Sequence, residues 1–369
     1  MKFTCTKEQL VYASQVVQKA VSSKPQMPIL SGIYLNAFDN TLELQATDYE
    51  LGISCKIEAT ISEPGSIVLS GRYFQEVVRR LPGDTVEITT NSEDNTVKIT
   101  SNSAQFNLLS LPASEFPVLK PLDGTTTFQI RDNVLRELIK KTVFACSTDE
   151  ARPVFTGGLL EVNNSDVLMV ATNTHRLAVK KEVLDFFDGS IKIIIPSKIL
   201  NELARIMVSE VPSNVSIDCN HNQISFAFDN VYIISRLIEG QFPDYKRVIP
   251  PDFATDIVIN TSEFLAAVER VSLISRAGDY NIIKLAFKQG AVLITSNNPD
   301  IGKAEEAVNI DLRGNELDIA FNAKYVTDIL KNIDSDKFYF SLNTPLSPAS
   351  IKPFDDDNYT YIITPVRTN

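Results

Sequence analysis

The chain has 369 residues, 44% of them hydrophobic, which is enough to bury large cores in two or three domains. Lys and Arg number 35 against 46 Asp and Glu, a net charge of −11, so the overall balance argues against a protein coated for nucleic acid. No apolar run is long enough to span a bilayer, MKFTCTKEQL at the start is strand-then-helix rather than a signal peptide, and Cys5, Cys55, Cys146 and Cys219 form no CxxC pair. These features fit a reducing cytoplasm.

In chain order, each third opens with a short strand and an amphipathic helix. The first helix is TKEQLVYASQVVQKAV, with Leu10, Ala13, Val17 and Ala20 on one stripe. RDNVLRELIKKTVFA repeats it with Val134, Leu135, Leu138, Ile139 and Val143. TSEFLAAVERVSLI is the third version, for which Thr261 or Ser262 is the expected cap. Paired strands follow. In the middle third, Leu159–Val162 and Val167–Val170 flank the turn residues Asn163 to Asp166, and strand character resumes through Leu177 and Val179. PILSGIYLNAFDNTLELQATDYELGISCKI and YNIIKLAFKQGAVLITSNNPDIGKAEEAVNI have the same layout. Thr47-Asp48, Thr172-Asn173 and Ser296-Asn297 stand 125 and 124 residues apart (172 − 47, 296 − 172). Second helices start at Gly71, Ser197 and Ala323, at intervals of 126 (197 − 71, 323 − 197), and each third closes with further strands.

A repeat this long is a whole domain. The fold class expected is α+β: three tandem domains, 1–125, 126–250 and 251–369, each with two helices on antiparallel sheets. The joints are the Pro-rich stretches Pro112–Gly124 and Pro243–Asp252, marked by Phe116-Pro117 and Phe242-Pro243. Charge is uneven: 10 − 14 = −4, 14 − 15 = −1 and 11 − 17 = −6 in the successive thirds.

Catalytic signals are sparse. There are two histidines, His175 and His221, and no phosphate loop, HExxH or GxSxG, and the DDD run at 355–357 suits a solvated loop better than a metal site. His175 is the best catalytic candidate by position, though a hydrogen-bonded turn residue explains it better. No cofactor is implied, and an enzyme is a distant third reading. More informative are Arg72/Arg79, Lys198/Arg205 and Lys324/Lys331. Each basic pair is seven residues apart, on the helix face opposite an apolar stripe that in the first helix is Tyr73, Phe74, Val77, Val78 and Leu81. Such faces suit a duplex backbone contacted without sequence preference. Glu76, Glu202 and Asp328 between the basic residues suit an exposed helix laced with salt bridges equally well.

MKFT, KPQMPIL at 24–30, ATNTHRLAV at 171–179, EGQFPDYKRVIP at 239–250 and YIITPVRTN at the end together resemble the bacterial sliding clamps, the beta subunits of DNA polymerase III. The resemblance covers the whole chain. It implies a head-to-tail homodimeric ring of six similar domains around double-stranded DNA, helices inside and sheets outside. In this family the activity is tethering the replicative polymerase for processivity, with a clamp loader and other DNA-processing proteins as further partners. A basic hole tolerates an acidic exterior, so net −11 is no obstacle. By this resemblance Lys24, Arg72, Arg79, Arg80, Arg136, Lys140, Arg152, Lys198 and Arg205 face DNA; the third domain should matter least, because its first helix offers only Arg270 against Glu263 and Glu269. Phe106 inserts beside the partner protomer's counterparts of Leu273 and Ile274, with Arg72 or Lys98 near Asp300, Glu305 or Glu306. A groove between domains 2 and 3 takes short peptides from partners. Phe155, Thr172, Leu177, Pro243, Val248, Leu346, Pro348, Ile362, Pro365 and Val366 line it; His175, Arg176, Arg247 and Arg367 stand at its rim. The chain departs from the family at Asp149, at Ser103 and Gln105 flanking Phe106, and at Thr364, where a larger apolar residue is usual. The alternative is a peptide-binding scaffold of the same fold that does not encircle DNA.

Overall fold

The structure is a computed structural model that describes all residues except 23, 26, 92–94, 209–210, 277–280 and 368–369. Gln26, Tyr280, Thr368 and Asn369 of the motifs quoted above lie outside the described residues. Six α-helices are present among the described residues: α1 Lys7–Val17, α2 Gly71–Arg80, α3 Asp132–Thr142, α4 Ser197–Ile206, α5 Thr261–Ser275 and α6 Ala323–Leu330. They are the two helices expected in each third. Leu10, Ala13 and Val17 of α1, Leu135, Leu138 and Ile139 of α3, and Phe264, Val268 and Val271 of α5 are buried, as their periodicity requires. The cap of α5 is Asn260 rather than Thr261 or Ser262: its side chain accepts the Glu263 N–H at 3.0 Å. In α2, Phe74, Val78 and Leu81 are buried but Tyr73 is 63% exposed, so Tyr73 is not part of the apolar stripe.

The chain packs as two compact units, residues 1–133 with 205–237, and residues 134–204 with 238–369. The first is built on a 13-stranded antiparallel sheet and the second on a 12-stranded one. The middle third is therefore divided: its strands Thr126–Arg131, Asn214–Cys219, Gln223–Phe228 and Val231–Arg236 belong to the first sheet, and Gly157–Asn163, Asp166–Thr172, Arg176–Val183 and Ser190–Pro196 to the second. In the first unit Val231–Arg236 pairs antiparallel with Leu51–Glu58, with Ile234 opposite Gly52. In the second, Arg176–Val183 pairs with Tyr359–Ile363, with Leu177 opposite Ile362. The hairpin expected at 159–170 forms in register, Asn163 opposite Asp166, with Asn164 left-handed at the turn (φ 52°). In the last third the corresponding strand runs on through Asn298, so Ser296 and Asn297 lie inside it and Asn298 makes the turn by accepting the Asp300 N–H.

Among the strands with one side largely unpaired are Ala104–Leu111 and Gly302–Arg313. Ala104–Leu111 pairs along its length with Thr96–Ser101, but on its other side only Ser110 and Leu111 meet Leu69 and Val68. Gly302–Arg313 pairs over 302–309 with Ala291–Asn298, and on its other side only residues 310–313 meet Thr255–Asn260.

Candidate functional site

The turn between Asp166–Thr172 and Arg176–Val183 is set by short polar side chains. The Thr172 hydroxyl donates to the Arg176 carbonyl at 2.7 Å and accepts the Thr174 N–H at 3.1 Å. Asn173 Oδ1 accepts the N–H groups of His175 and Arg176, both at 3.1 Å. These bonds hold Thr174 at φ 76°, a left-handed conformation unusual for a β-branched residue. The His175 carbonyl accepts the Thr364 N–H at 2.9 Å, and two residues on Val366 N–H donates to the Ala320 carbonyl at 2.8 Å. The chain after Ile363 is thereby fixed by backbone bonds although no strand continues there.

A cavity of about 270 Å³ opens beside this turn, lined by Phe155, Thr172, Leu177, Pro243, Val248, Pro348, Ile362 and Thr364, all expected from sequence. Thr174, Asp244 and Tyr245 also line it and were not expected. The sequence signal for Tyr245 was present, an aromatic inside the EGQFPDYKRVIP motif. It packs with Leu159, Val170, Leu177 and Ile362, and burial, reinforced by the Glu161 carboxylate, pushes its hydroxyl up to about 12. Leu346, Val366 and Arg367 line a separate hollow of about 520 Å³ with Lys284, Leu293 and Ile319. The single groove expected is therefore two hollows that share the 364–367 segment, and Pro365 lines neither.

Arg176, expected at the rim, lines the cavity of about 270 Å³ and is buried there. Its guanidinium donates to Asp328 at 2.6 Å and to the Phe144 carbonyl, and stacks 4.6 Å from the Tyr325 ring centroid. This strut ties the turn to α6. His175 and Arg247 are exposed, and Arg247 bonds Asp244 at 2.9 Å.

The basic residues divide between the two units. In the first, Lys24, Arg72, Arg79, Arg80 and Arg205 are exposed. Glu76 accepts both Arg79 (3.2 Å) and Arg80 (2.9 Å), so two cations share one carboxylate on α2. In the second, Lys140, Arg152 and Lys198 are exposed and Arg136 is half-buried. Asp149 lies 3.7 Å from Arg152 and offsets its charge. In the last third Arg270 pairs with Glu306, Lys324 with Asp328, and Lys331 with Glu269. Salt bridges thus occur on these helices in the first and last thirds, while Lys24, Arg72, Lys140 and Lys198 stand exposed.

Of the residues assigned to an interface between protomers, Phe106 is 38% exposed on the half-open strand Ala104–Leu111, so it is not core of its own domain. Leu109 on the same strand is 78% exposed, which its place in the alternation of NLLSL could have signalled. Lys98 is exposed in the same unit. In the other unit Leu273, Asp300 and Glu305 are exposed and Ile274 half-buried. Glu306 is taken by Arg270, whose hydrogen bonds hold its carboxyl below the usual range. Among the described residues no three His, Cys, Asp or Glu side chains are grouped to hold a metal, and no helix is long and apolar enough to cross a membrane.

Six helices on two long antiparallel sheets, all generated by a threefold repeat, define a protein of the DNA-clamp class. Family models for the N-terminal, central and C-terminal domains of the DNA polymerase III beta subunit match residues 1–120, 129–244 and 246–367. The chain is 40% identical to the beta sliding clamp of Bacillus subtilis and 37% identical to that of Staphylococcus aureus strain N315, with all of both chains covered in each case. The crystal structure of the DNA polymerase sliding clamp from Bacillus subtilis superposes with a TM-score of 0.95 at 39% identity, and that of a Pseudomonas aeruginosa sliding clamp bound to griselimycin with 0.94 at 30%, each over the whole of both chains. The protein belongs to the DNA polymerase III beta subunit family, the bacterial sliding clamps.

Proposed function

We propose that the protein is a DNA sliding clamp for the replicative polymerase, working in the cytoplasm by binding rather than by catalysis. Its three clamp domains are divided near residues 125 and 250. Two protomers close head to tail around the duplex, and short peptides from the polymerase, the loader and other DNA-processing proteins enter the cavity beside Leu177 and Ile362. The observation that carries the ring is the pair of half-open strands. Unpaired N–H and C=O groups along 104–109 and 302–308 invite pairing, and a two-fold dimer satisfies both edges at once. Phe106 and Leu109 then meet Leu273 and Ile274 across each junction. With capture by topology, the exposed cations need only weak, salt-sensitive contact with phosphates, which permits sliding.

The charge sharing at Glu76 and the engaged cations of the last third favour a second reading, a peptide-binding scaffold without DNA. Retention on nicked circular DNA, loaded with ATP and a loader, separates the two. A clamp stays on the circle and is lost when the circle is linearised; a scaffold is retained on neither.

A further inference from the structure

The cavity of the second unit has a counterpart in the first. A hollow of about 450 Å³ lies along the joint segment 117–123, and its lining occupies the repeat positions of the cavity described above. Thr47, Pro117 and Leu122 precede Thr172, Pro243 and Val248 by 125, 126 and 126 residues (172 − 47, 243 − 117, 248 − 122). Ile234 stands opposite Gly52 across a strand pair as Ile362 stands opposite Leu177. The turns are bonded alike. The Thr47 hydroxyl donates to the Leu51 carbonyl at 2.9 Å, and Asp48 accepts the N–H groups of Glu50 and Leu51 at 3.1 and 2.8 Å. Tyr49 is left-handed at φ 72°, as is Thr174, 125 residues later.

One floor position differs. Gly52 replaces Leu177, and a Cβ built on it would come within 2.5 Å of a Leu119 methyl. Leu119 therefore lies on the glycine and supplies the apolar floor that Leu177 supplies in the other cavity. Two bonds fix that segment: Leu119 N–H to Gln45 Oε1 at 2.9 Å, and Leu122 N–H to the Tyr232 hydroxyl at 2.8 Å. The rim is charged differently from that of the other cavity, which Asp244 and the buried Arg176 line. Arg236 stands two residues past Ile234, where the other cavity has Thr364, and Lys120 joins it. Arg236 lies 3.9 Å from Glu50 with both side chains more than 60% exposed, an ion pair that water weakens and an incoming carboxylate can displace. Glu50 and Asp123 also reach the hollow, so it accepts a single acidic side chain rather than an acidic run.

We propose that this hollow is a second peptide groove, taking an extended segment with one apolar anchor on Leu119 and Ile234 and a neighbouring Asp or Glu on Arg236 and Lys120. The proposal rests on the reading of the first cavity as a peptide site, because it transfers that plan through the repeat. Each protomer then offers two grooves on one plan that differ in size and in charge.

The test is photolabelling of the full chain with acetyl-Ser-photoleucine-Asp-Ser-amide, photoleucine being the diazirine analogue of leucine, and mapping of adducts by mass spectrometry. Adducts are expected both on 117–123 and 234–236 and on 172–177 and 243–248. Arg236→Glu should lower the first set at least fivefold and spare the second; Val248→Glu should do the reverse. Both positions are exposed, and unchanged melting of each variant confirms folding. Adducts confined to the second set, or joint adducts indifferent to Arg236→Glu, overturn the second groove. Adducts on the first set alone sustain it while removing the reading of the other cavity, and adducts on neither remove both.

Discussion

Replacing Asp328 with alanine tests the strut that holds the turn beside the cavity proposed to take peptides. The Arg176 side chain is 6% exposed and bonds Asp328 at 2.6 Å. Deleting one partner of a fully buried ion pair costs about 3–5 kcal/mol, because the remaining charge is left uncompensated. Here Asp328 is 20% exposed, so water recovers part of that loss and about 2–3 kcal/mol is expected. The second ion pair of Asp328, to Lys324 at 2.9 Å, adds little because Lys324 is 64% exposed. The unit concerned spans 71 + 132 = 203 residues, a size at which each kcal/mol lowers the midpoint by about 2–4 °C, so the loss should be about 4–12 °C. Differential scanning calorimetry of wild type, Asp328→Ala, Arg176→Met and the double variant would show it as a double-mutant cycle. The double variant should lose less than the sum of the singles, since Asp328 matters chiefly through the guanidinium. A shift under about 1 °C, or strict additivity, would refute the argument that the strut stabilises the turn.

Burial pushes the thiols of Cys5, Cys55 and Cys146 and the Tyr245 hydroxyl up to about 12. Each acid holds its proton more firmly folded than unfolded, so its stabilisation is intact below its unfolded pKa, about 9 for the thiols and 10 for tyrosine, and is lost as pH rises toward 12. Melting should fall steeply above pH 9 while native protein resists iodoacetamide at pH 8; a flat profile to pH 11 would contradict this. The unmodified protein should sediment as a dimer at micromolar concentration and Phe106→Glu as a monomer with the melting point kept; a dimer in both would count against the edge-to-edge ring. Arg72→Gln with Lys140→Gln should reduce the slope of log binding against log salt by about 2 on duplex DNA, one contact each, whatever its sequence. An effect confined to particular DNA sequences would sink that assignment.

Features with local periodicity were legible in the sequence. The hairpin at 163–166 announces itself by Asn-Asn-Ser-Asp between apolar runs, and the second helices by a strict 126-residue spacing. What was not legible was set by partners far along the chain. Arg176 reads as a cavity residue beside an exposed histidine, and it lines that cavity, but its burial as a strut depends on Asp328, 152 residues away. Tyr73 belongs to the apolar stripe by sequence, yet Phe74, Val78 and Leu81 make the buried face and Tyr73 is left exposed. The division of the middle third between two sheets had no signature at all, because the pairing of Val231–Arg236 with Leu51–Glu58 depends on matched edges rather than on any motif.

The pairing of Arg176–Val183 with Tyr359–Ile363 has a consequence for synthesis on the ribosome. Arg176 meets Ile363, 187 residues later (363 − 176). Until that last strand emerges, the Arg176–Val183 edge waits with its backbone groups unpaired and Leu177 without Ile362 opposite it. Such an edge is a template for pairing with another nascent chain. The second unit therefore passes a vulnerable interval whose length is set by translation speed. Pauses after residue 183 should raise co-translational aggregation, whereas pauses past residue 363 should not.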